Sequence, residues 1–497
     1  MLSKALRARP PWRMALLAVG LGVASAAGLA PLGLWWVALP AMAGLCRLAL
    51  GVSAGRAGWI GWLSALGYFG AGLNWIVEPF MVNAAQDGWM APFALVLLAA
   101  GLALFWGAGF GLGALVPHRG AGLVAGMTAA EFVRGYALTG FPWALPGYVW
   151  IGTPVAQVDA LVGPFGLTLL TLAVAALASS LRWRGGLAAA AMLALGWGYG
   201  VWVLALPLPK APGITLRLVQ PDAPQDAKWE PDHAQLFFDR LMQFTGAPGA
   251  VDMVLWPETA LPYLVEDNPD LPARIAAAAH GVPVGLGLQR VERHGTEVRG
   301  WNSLKVYDPQ GVEMASYDKH HLVPFGEYVP LGDLAYDWFG VTAFAARFGQ
   351  AYTAGPGPVV LDLGPKLGKV LPLICYEAVF PQDLRASPRA DWILQITNDA
   401  WFGTLSGPFQ HADQARLRAI EQGLPLARVA NTGVTEMIDA RGRITAALPF
   451  GGPGYLDAAL PGALPPPPYA RYDELPALLL LAGCVVLAFR RQSARSA

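Results

Sequence analysis

Hydrophobic positions follow two regimes along this 497-residue chain. Up to about residue 206 they form long runs, at about 14–30, 32–49, 57–77, 90–117, 121–138, 160–181 and 187–206. Most reach the ~20 residues that cross a hydrocarbon core, and their many Gly and Ala residues suit helices that pack closely in a bilayer. A last run, about 475–489, is shorter and begins near Pro476. The first run follows Lys4, Arg7 and Arg9 and contains Ala24-Ser25-Ala26, a pattern that would also fit a cleaved signal peptide. A second apolar run follows after only a short Gly/Pro break, so we read the first as a retained helix.

Basic residues alternate between the connections. Lys4, Arg7, Arg9 and Arg13 precede the first run. Arg47 and Arg56 lie in the second–third connection, His118 and Arg119 in the fourth–fifth, Arg182 and Arg184 in the sixth–seventh, and Arg490, Arg491 and Arg495 after the last. The connections between these carry few or none. The positive-inside rule then predicts eight spans with both termini cytoplasmic and everything between spans seven and eight on the outer side, the periplasm in a bacterium.

That outer stretch has a different pattern. Short β-like runs stand at Ile214–Val219, Met253–Leu255, Val282–Leu288, Ser303–Tyr307, Val370–Ile374, Trp392–Ile396 and Gly433–Ile438. Helical patterning fits 233–245, 270–280 and 408–423. Strands interleaved with helices predict an α/β layered domain with a buried sheet. The expected organisation is a bundle of seven spans over 1–208, a periplasmic catalytic domain over 209–470, and a final span with a basic tail over 471–497.

Composition agrees. The chain is 55% hydrophobic and only 14% charged, below the roughly one-quarter usual for a soluble enzyme, and its net charge of zero argues against a nucleic-acid partner. No Cys/His cluster has zinc spacing, and neither metal nor cofactor is expected.

Of three cysteines, Cys46 and Cys484 lie in apolar runs, whereas Cys375 ends the apolar run Val370–Ile374 and is followed by Tyr376 and Glu377. A nucleophile where a buried strand gives way to a turn is held rigidly and can still meet substrate. Three more polar clusters end strands: Trp256-Pro257-Glu258, Lys319-His320-His321-Leu322-Val323-Pro324-Phe325-Gly326-Glu327, and Thr397-Asn398-Asp399-Ala400-Trp401-Phe402-Gly403. Singly, each polar residue reads as a solvated surface group. Together they supply the base, cation and nucleophile of an acyl-transferring thiol.

Trp-Pro-Glu, Lys followed by His-Leu-Val-Pro-Phe-Gly-Glu, and Cys-Tyr-Glu resemble the Glu-Lys-Cys pattern of the nitrilase, or carbon–nitrogen hydrolase, superfamily. Set between membrane spans, the pattern resembles the apolipoprotein N-acyltransferase family within it. Asn74-Trp75, Thr139-Gly140-Phe141-Pro142-Trp143, Gln410-His411 and Asn431-Thr432-Gly433 share that likeness. One departure is Leu424, where the family commonly has Arg before Pro425, which puts a peripheral salt bridge in doubt. The resemblance implies an α-β-β-α sandwich. It also implies acyl transfer from a phospholipid, typically phosphatidylethanolamine, through a Cys375 thioester to the α-amine of a diacylglyceryl apolipoprotein.

A thiol near pKa ~8.5 needs a base or a cation. Glu258 is the expected base, Lys319 the cation for thiolate and oxyanion, and the Tyr376 backbone N–H a second oxyanion donor. Glu327 and Glu377 are expected to support them. A Cys–His pair using His320, His321 or His411 is the rival arrangement. Trp229, Asn398, Trp401 and Phe402 are the expected substrate contacts, with Tyr328, Phe339, Phe344 and Phe348 as further cover against water. Each of these aromatic residues could equally be ordinary packing. Glu131 and Arg134, three apart on one helix, are expected to pair as a structural anchor. A monomer is expected. The functional alternative is a membrane-anchored amidase or nitrilase cleaving a C–N bond; a transporter with a binding-only outer domain is a third class.

Overall fold

The computed structural model describes residues 9–490, except 181, 226, 229, 296, 331–350, 386 and 387. Trp229, Phe339, Phe344 and Phe348 therefore lie outside the described residues.

The apolar runs become helices α1 (Trp12–Ala26), α2 (Trp35–Ala49), α3 (Ala54–Gly72), α4 (Ala91–Gly113), α5 (Arg119–Tyr136), α6 (Asp159–Ala178) and α7 (Trp183–Ala205). Backbones touch where glycines allow it. A Cβ on Gly22 of α1 would lie 1.9 Å from Ser64 O of α3, and one on Gly126 of α5 would lie 2.3 Å from Gly109 O of α4. The first run is thus wedged into the bundle. Outward positions such as Leu97, Leu104 and Leu195 are exposed and apolar, as for a lipid-facing surface.

Helices α1, α2, α3, α4 and α6 are shorter than the corresponding runs, whereas α7 is longer and begins earlier, at Trp183. By length and composition, three stretches can cross a membrane (Ala84–Gly113, Pro154–Ala178 and Trp183–Ala205). A fourth qualifies if α3 and the following 3-10 segment Asn74–Phe80, bent by 53°, count as one. Buried Glu131 pairs with buried Arg134, which also donates to the Trp143 carbonyl at 2.9 Å and to that of Phe141, so the pair ties α5 to the segment after it.

After α7 the chain builds two mixed sheets. The strands are β1 (Thr215–Gln220), β2 (Met253–Leu255), β3 (Val284–His294), β4 (Glu297–Tyr307), β5 (Glu313–Asp318), β6 (Leu361–Asp362), β7 (Lys369–Ile374), β8 (Trp392–Thr397), β9 (Leu426–Ala430), β10 (Glu436–Ile438), β11 (Ile444–Ala447) and β12 (Gly454–Ala459). Helices α8 (Pro231–Thr245), α9 (Leu271–Ala278) and α10 (Gly407–Gln422) accompany them, and α11 (Leu475–Phe489) closes the described chain and packs on α5 and α6.

The sheets run β12-β1-β2-β3-β4-β5 and β11-β10-β9-β8-β7-β6. In each, three parallel strands form the middle: β1, β2 and β3 in one, β7, β8 and β9 in the other. Alternation divides their side chains between two cores. Leu216, Leu218, Met253 and Leu255 face Ile374, Leu394, Ile396 and Val429 across the sheets, while Val219, Val254 and Leu286 meet Phe238 and Leu241 of α8. Leu371, Leu373 and Ile393 meet Ala415 and Ala419 of α10. The layers are helix, sheet, sheet, helix, which explains strands that are apolar on both faces.

Leu424 is buried against this α10 layer. A leucine there fills core and makes no salt bridge.

Candidate active site

Cys375 follows β7 directly, and its backbone is left-handed (φ 52°), a conformation that costs a non-glycine residue about 1–2 kcal/mol. Three sets of contacts hold it. The Glu377 carboxylate accepts from Ile374 N at 2.7 Å, just before the turn, and from Tyr317 Oη and His320 N, both at 2.8 Å. It thereby staples the thiol's turn to the segment that begins with Lys319. The Cys375 carbonyl accepts from His411 Nε2 at 3.0 Å and Gln395 Nε2 at 3.3 Å. His411 Nδ1 in turn meets Asp399 at 3.0 Å, and Arg428 pairs with Asp399 at 2.9 Å. Burial lowers the His411 pKa against the pull of Asp399. The Nε2–H donates to the Cys375 carbonyl, while Nδ1 faces both the Asp399 carboxylate and the Arg428 guanidinium, the latter at 3.1 Å.

Lys319 follows β5, buried. Its Nζ lies 2.9 Å from Glu327 Oε2 and 3.5 Å from Glu258 Oε1. Burial opposes its charge, but Glu327, then Glu258 and Cys375, outweigh that and raise its pKa, so it stays an ammonium. Glu258 follows β2 through Trp256, whose indole donates to Thr245 Oγ1 at 2.8 Å, and Pro257. The turn crosses β3 at Gly287, where an added Cβ would lie 2.0 Å from Pro257 O. Glu327 accepts from Val323 N at 2.8 Å, which closes its loop. The Asn302 amide on β4 donates to Glu258 at 2.7 Å and to Glu327 at 3.1 Å.

Glu258, Lys319, Glu327, Glu377 and Cys375 thus converge where the two sheets meet. Burial pushes the Cys375 pKa up and Glu258 adds to that, while Lys319 and Thr397 oppose it. The resting group is a thiol, and its proton must leave before sulfur can attack. That requirement fits a carboxylate base beside a fixed cation.

The rival histidines are engaged elsewhere. His411 reaches the Cys375 carbonyl. His321 Nδ1 meets Asp383 at 2.9 Å, and its ring stacks on Phe380 at 3.6 Å. His320 sits between Glu377 at 2.7 Å and Asp383 at 3.4 Å. Among the described residues, His320, His321 and Asp383 are the one group with three possible metal-ligating atoms within 4.8 Å. Their hydrogen bonds to one another and to Glu377 already account for the arrangement.

Of the expected substrate contacts, Asn398 is occupied internally. It donates to Gln225 at 2.8 Å and accepts from Asn431 at 2.9 Å. Phe402 is buried between Trp75 at 4.9 Å, His411 at 5.3 Å and Trp143 at 5.5 Å. It joins the catalytic domain to the bundle instead of presenting a face to a ligand. Trp401 is half-buried beside the core, and Tyr376 packs edge-on against Phe380.

Sequence reasoning missed Asn302, Gln395 and Arg428, and placed Thr397 and Asp399 in a polar cluster at a strand end without a role. The signal for Asn302 was a lone amide between Trp301 and Ser303 in an apolar strand pattern; nothing in the sequence says which residue it faces.

A buried thiol, ammonium and carboxylates at the ends of paired sheets, beside an apolar helical bundle, define a thiol enzyme of the carbon–nitrogen hydrolase type carried on a helical domain. A carbon–nitrogen hydrolase model matches residues 217–464, and the model of the apolipoprotein N-acyltransferase N-terminal domain matches residues 21–177. A Caulobacter vibrioides protein named apolipoprotein N-acyltransferase is 40% identical over 96% of this chain and 94% of its own length. Namesakes from Bradyrhizobium diazoefficiens and Rhodopseudomonas palustris are 39% and 37% identical, each over 97% of this chain and 96% of their own. The chain belongs to the apolipoprotein N-acyltransferase family.

Proposed function

We propose that this enzyme transfers a fatty acyl group from a membrane phospholipid to the α-amino group of the N-terminal S-diacylglyceryl cysteine of apolipoproteins, through a thioester on Cys375. The observation that carries this reading is a protonated, buried thiol whose neighbours are a carboxylate and a fixed ammonium, in a domain seated on an apolar bundle.

The steps balance. Glu258 takes the Cys375 proton as sulfur attacks the ester carbonyl. Lys319, with the Tyr376 N–H, stabilises the oxyanion. The C–O bond breaks, the proton passes from Glu258 to the departing lysophospholipid, and the acyl-thioester remains. In the second half the lipoprotein amine attacks, Glu258 accepts its proton, the C–S bond breaks, and the proton returns to sulfur. Glu327 holds Lys319, and Glu377 holds the thiol's turn. Cover over the site limits hydrolysis of the thioester, with Trp229, Trp401 and Tyr328 as contributors. Phosphatidylethanolamine is the proposed donor and a monomer the proposed unit.

The proposed topology is eight spans (α1–α7 and α11) in the bacterial inner membrane, with both termini cytoplasmic and residues 209–470 periplasmic. At 15 residues α1 covers only about 22 Å, and the apolar turn after it supplies the rest of the crossing.

The test incubates the detergent-solubilised enzyme with acyl-labelled phosphatidylethanolamine and traps the label. Label on Cys375, lysophospholipid release and transfer to a diacylglyceryl lipopeptide with ping-pong kinetics are expected. Ammonia release from a simple amide, without lysophospholipid, would instead identify an amidase.

A further inference from the structure

The loop from β1 to α8 carries a buried lysine that the steps above do not use. Lys228 is 3% exposed; its Nζ donates to Thr259 Oγ1 at 2.8 Å and lies 3.5 Å from the carbonyl of Glu258. Thr259 is itself left-handed (φ 45°), so the turn that presents Glu258 is strained and needs holding. The loop is anchored on the opposite sheet. Asp222 N donates to Asn431 O at 3.0 Å, Asn431 Nδ2 to Ala223 O at 2.9 Å, and Asn398 Nδ2 to Gln225 at 2.8 Å. Lys228 N then closes on Pro224 O at 2.9 Å. Lys228 is therefore the end of a strap that runs from β9 and β8 to the Glu258 turn.

We infer that Lys228 is a positioning residue for acyl transfer: it clamps the Glu258–Thr259 turn and places a second cation within electrostatic reach of the Glu258 carboxylate. This rests on Glu258 acting as the base.

A clamp alone could be built from a neutral amide. Burying an ammonium costs several kcal/mol unless a charge answers it. Burial lowers the Lys228 pKa to about 7, and the Glu258 charge works against that fall. The protons on Lys228 and Glu258 are thus linked: each favours the charged form of the other. Among the described residues, Lys319, Cys375 and Tyr352 also feel the Glu258 charge, and Glu327 shares Lys319 and Asn302 with it. All of them remain when Lys228 is replaced.

The experiment measures single-turnover acylation of Cys375 by labelled phosphatidylethanolamine against pH, in the full-length enzyme, for the parent and K228M, K228R, T259V and E258Q. K228M is expected to acylate about 30-fold more slowly, the scale of one lost hydrogen bond to a charged group. Its acid limb should move up by about one pH unit, because a carboxylate that loses a neighbouring cation ionises at higher pH. K228R should restore the limb. T259V, which keeps the charge and removes the hydroxyl, should be slower with its limb unmoved. Rates are normalised to the fraction folded at each pH, so acid unfolding of a destabilised variant cannot mimic the shifted limb. Parental rate in K228M, or a slow K228M with an unmoved limb, overturns the inference. Full acylation by E258Q would instead overturn the assignment of the base.

Discussion

The Asn302 amide donates to Glu258 at 2.7 Å and to Glu327 at 3.1 Å, so one NH2 group sets the spacing of two carboxylates that share Lys319. Carboxylates only accept, which fixes the amide's orientation. Replacing Asn302 with Leu removes both bonds at once. Bonds to charged groups contribute about 1.5–3 kcal/mol, so acylation of Cys375 should slow roughly 10- to 100-fold. N302D, which sets a third carboxylate against the other two, should be slower still. Stopped-time trapping of the acyl-enzyme reads both; an unchanged rate in N302L would remove Asn302 from the machinery.

Lys319 is a buried point charge whose Nζ meets both Glu327 oxygens, at 3.0 and 2.9 Å, and lies 3.5 Å from Glu258. K319M should lower the acylation rate by about 10²–10³, the usual cost of one oxyanion donor. K319R should not recover it, because the larger head cannot occupy the same buried position. Comparing burst rates at saturating donor separates this from weaker binding.

The turn at Cys375 makes a stability prediction of unusual sign. An L-residue pays about 1–2 kcal/mol for a left-handed backbone, and glycine does not. Both C375A and C375G are inactive on the proposed mechanism, yet C375G should unfold at the same or a higher temperature than C375A. In an ordinary strand the same exchange would cost about 0.5–1 kcal/mol, so a clearly lower midpoint for C375G would mean that the turn relaxes in solution.

His320 gives the chain a pH-dependent fastening. Burial works against its charge, but Asp383 and Glu377 raise its pKa from 6.5 to about 9. A group whose folded pKa is raised adds stability below its unfolded value and loses it as pH rises through the folded one. The contribution should be complete below about pH 6.5 and gone above about pH 9. Unfolding midpoints of the parent and H320Q should therefore differ most at pH 6 and converge by about pH 9–10. A constant difference across that range would assign His320 a packing role only.

Two strand ends were legible because a polar residue follows an apolar run: Glu258 after β2 and Cys375 after β7; Lys319 follows the polar β5 and stood out only as one of a run of charged residues. Partners across the sheet were not legible, since neither the proximity of Asn302 to Glu258 nor that of Arg428 to Asp399 leaves a mark in local sequence. Edge strands also escaped notice. β5 is mostly polar and exposed, and β3 and β4 extend as a ladder well past their apolar ends. Most runs overstated helices in the bundle because an apolar turn reads like an apolar helix. The 160–181 run hides a break at Gly163 (φ 67°) and Pro164, against which Tyr469 packs.

Gln410 supplies the clearest test of whether the bundle does more than anchor the catalytic domain. It stands on α10 beside His411, the residue that holds the Cys375 carbonyl. Its side chain accepts from the Trp143 indole at 2.7 Å and donates to Gly72 O at 3.0 Å and Ala30 O at 3.1 Å, three separate parts of the bundle. Q410A orphans one buried donor and leaves two carbonyls short of a partner, at about 1–3 kcal/mol for each group left unsatisfied. The unfolding midpoint should fall. If the junction also aligns the thiol's turn, the folded fraction of Q410A should acylate more slowly as well, since His411 rides on the same helical turn. Normalising the burst rate to the folded enzyme separates the two effects. A normal rate per folded molecule with a lowered midpoint would make the junction an anchor only; a slowed rate would make the membrane domain part of what positions Cys375.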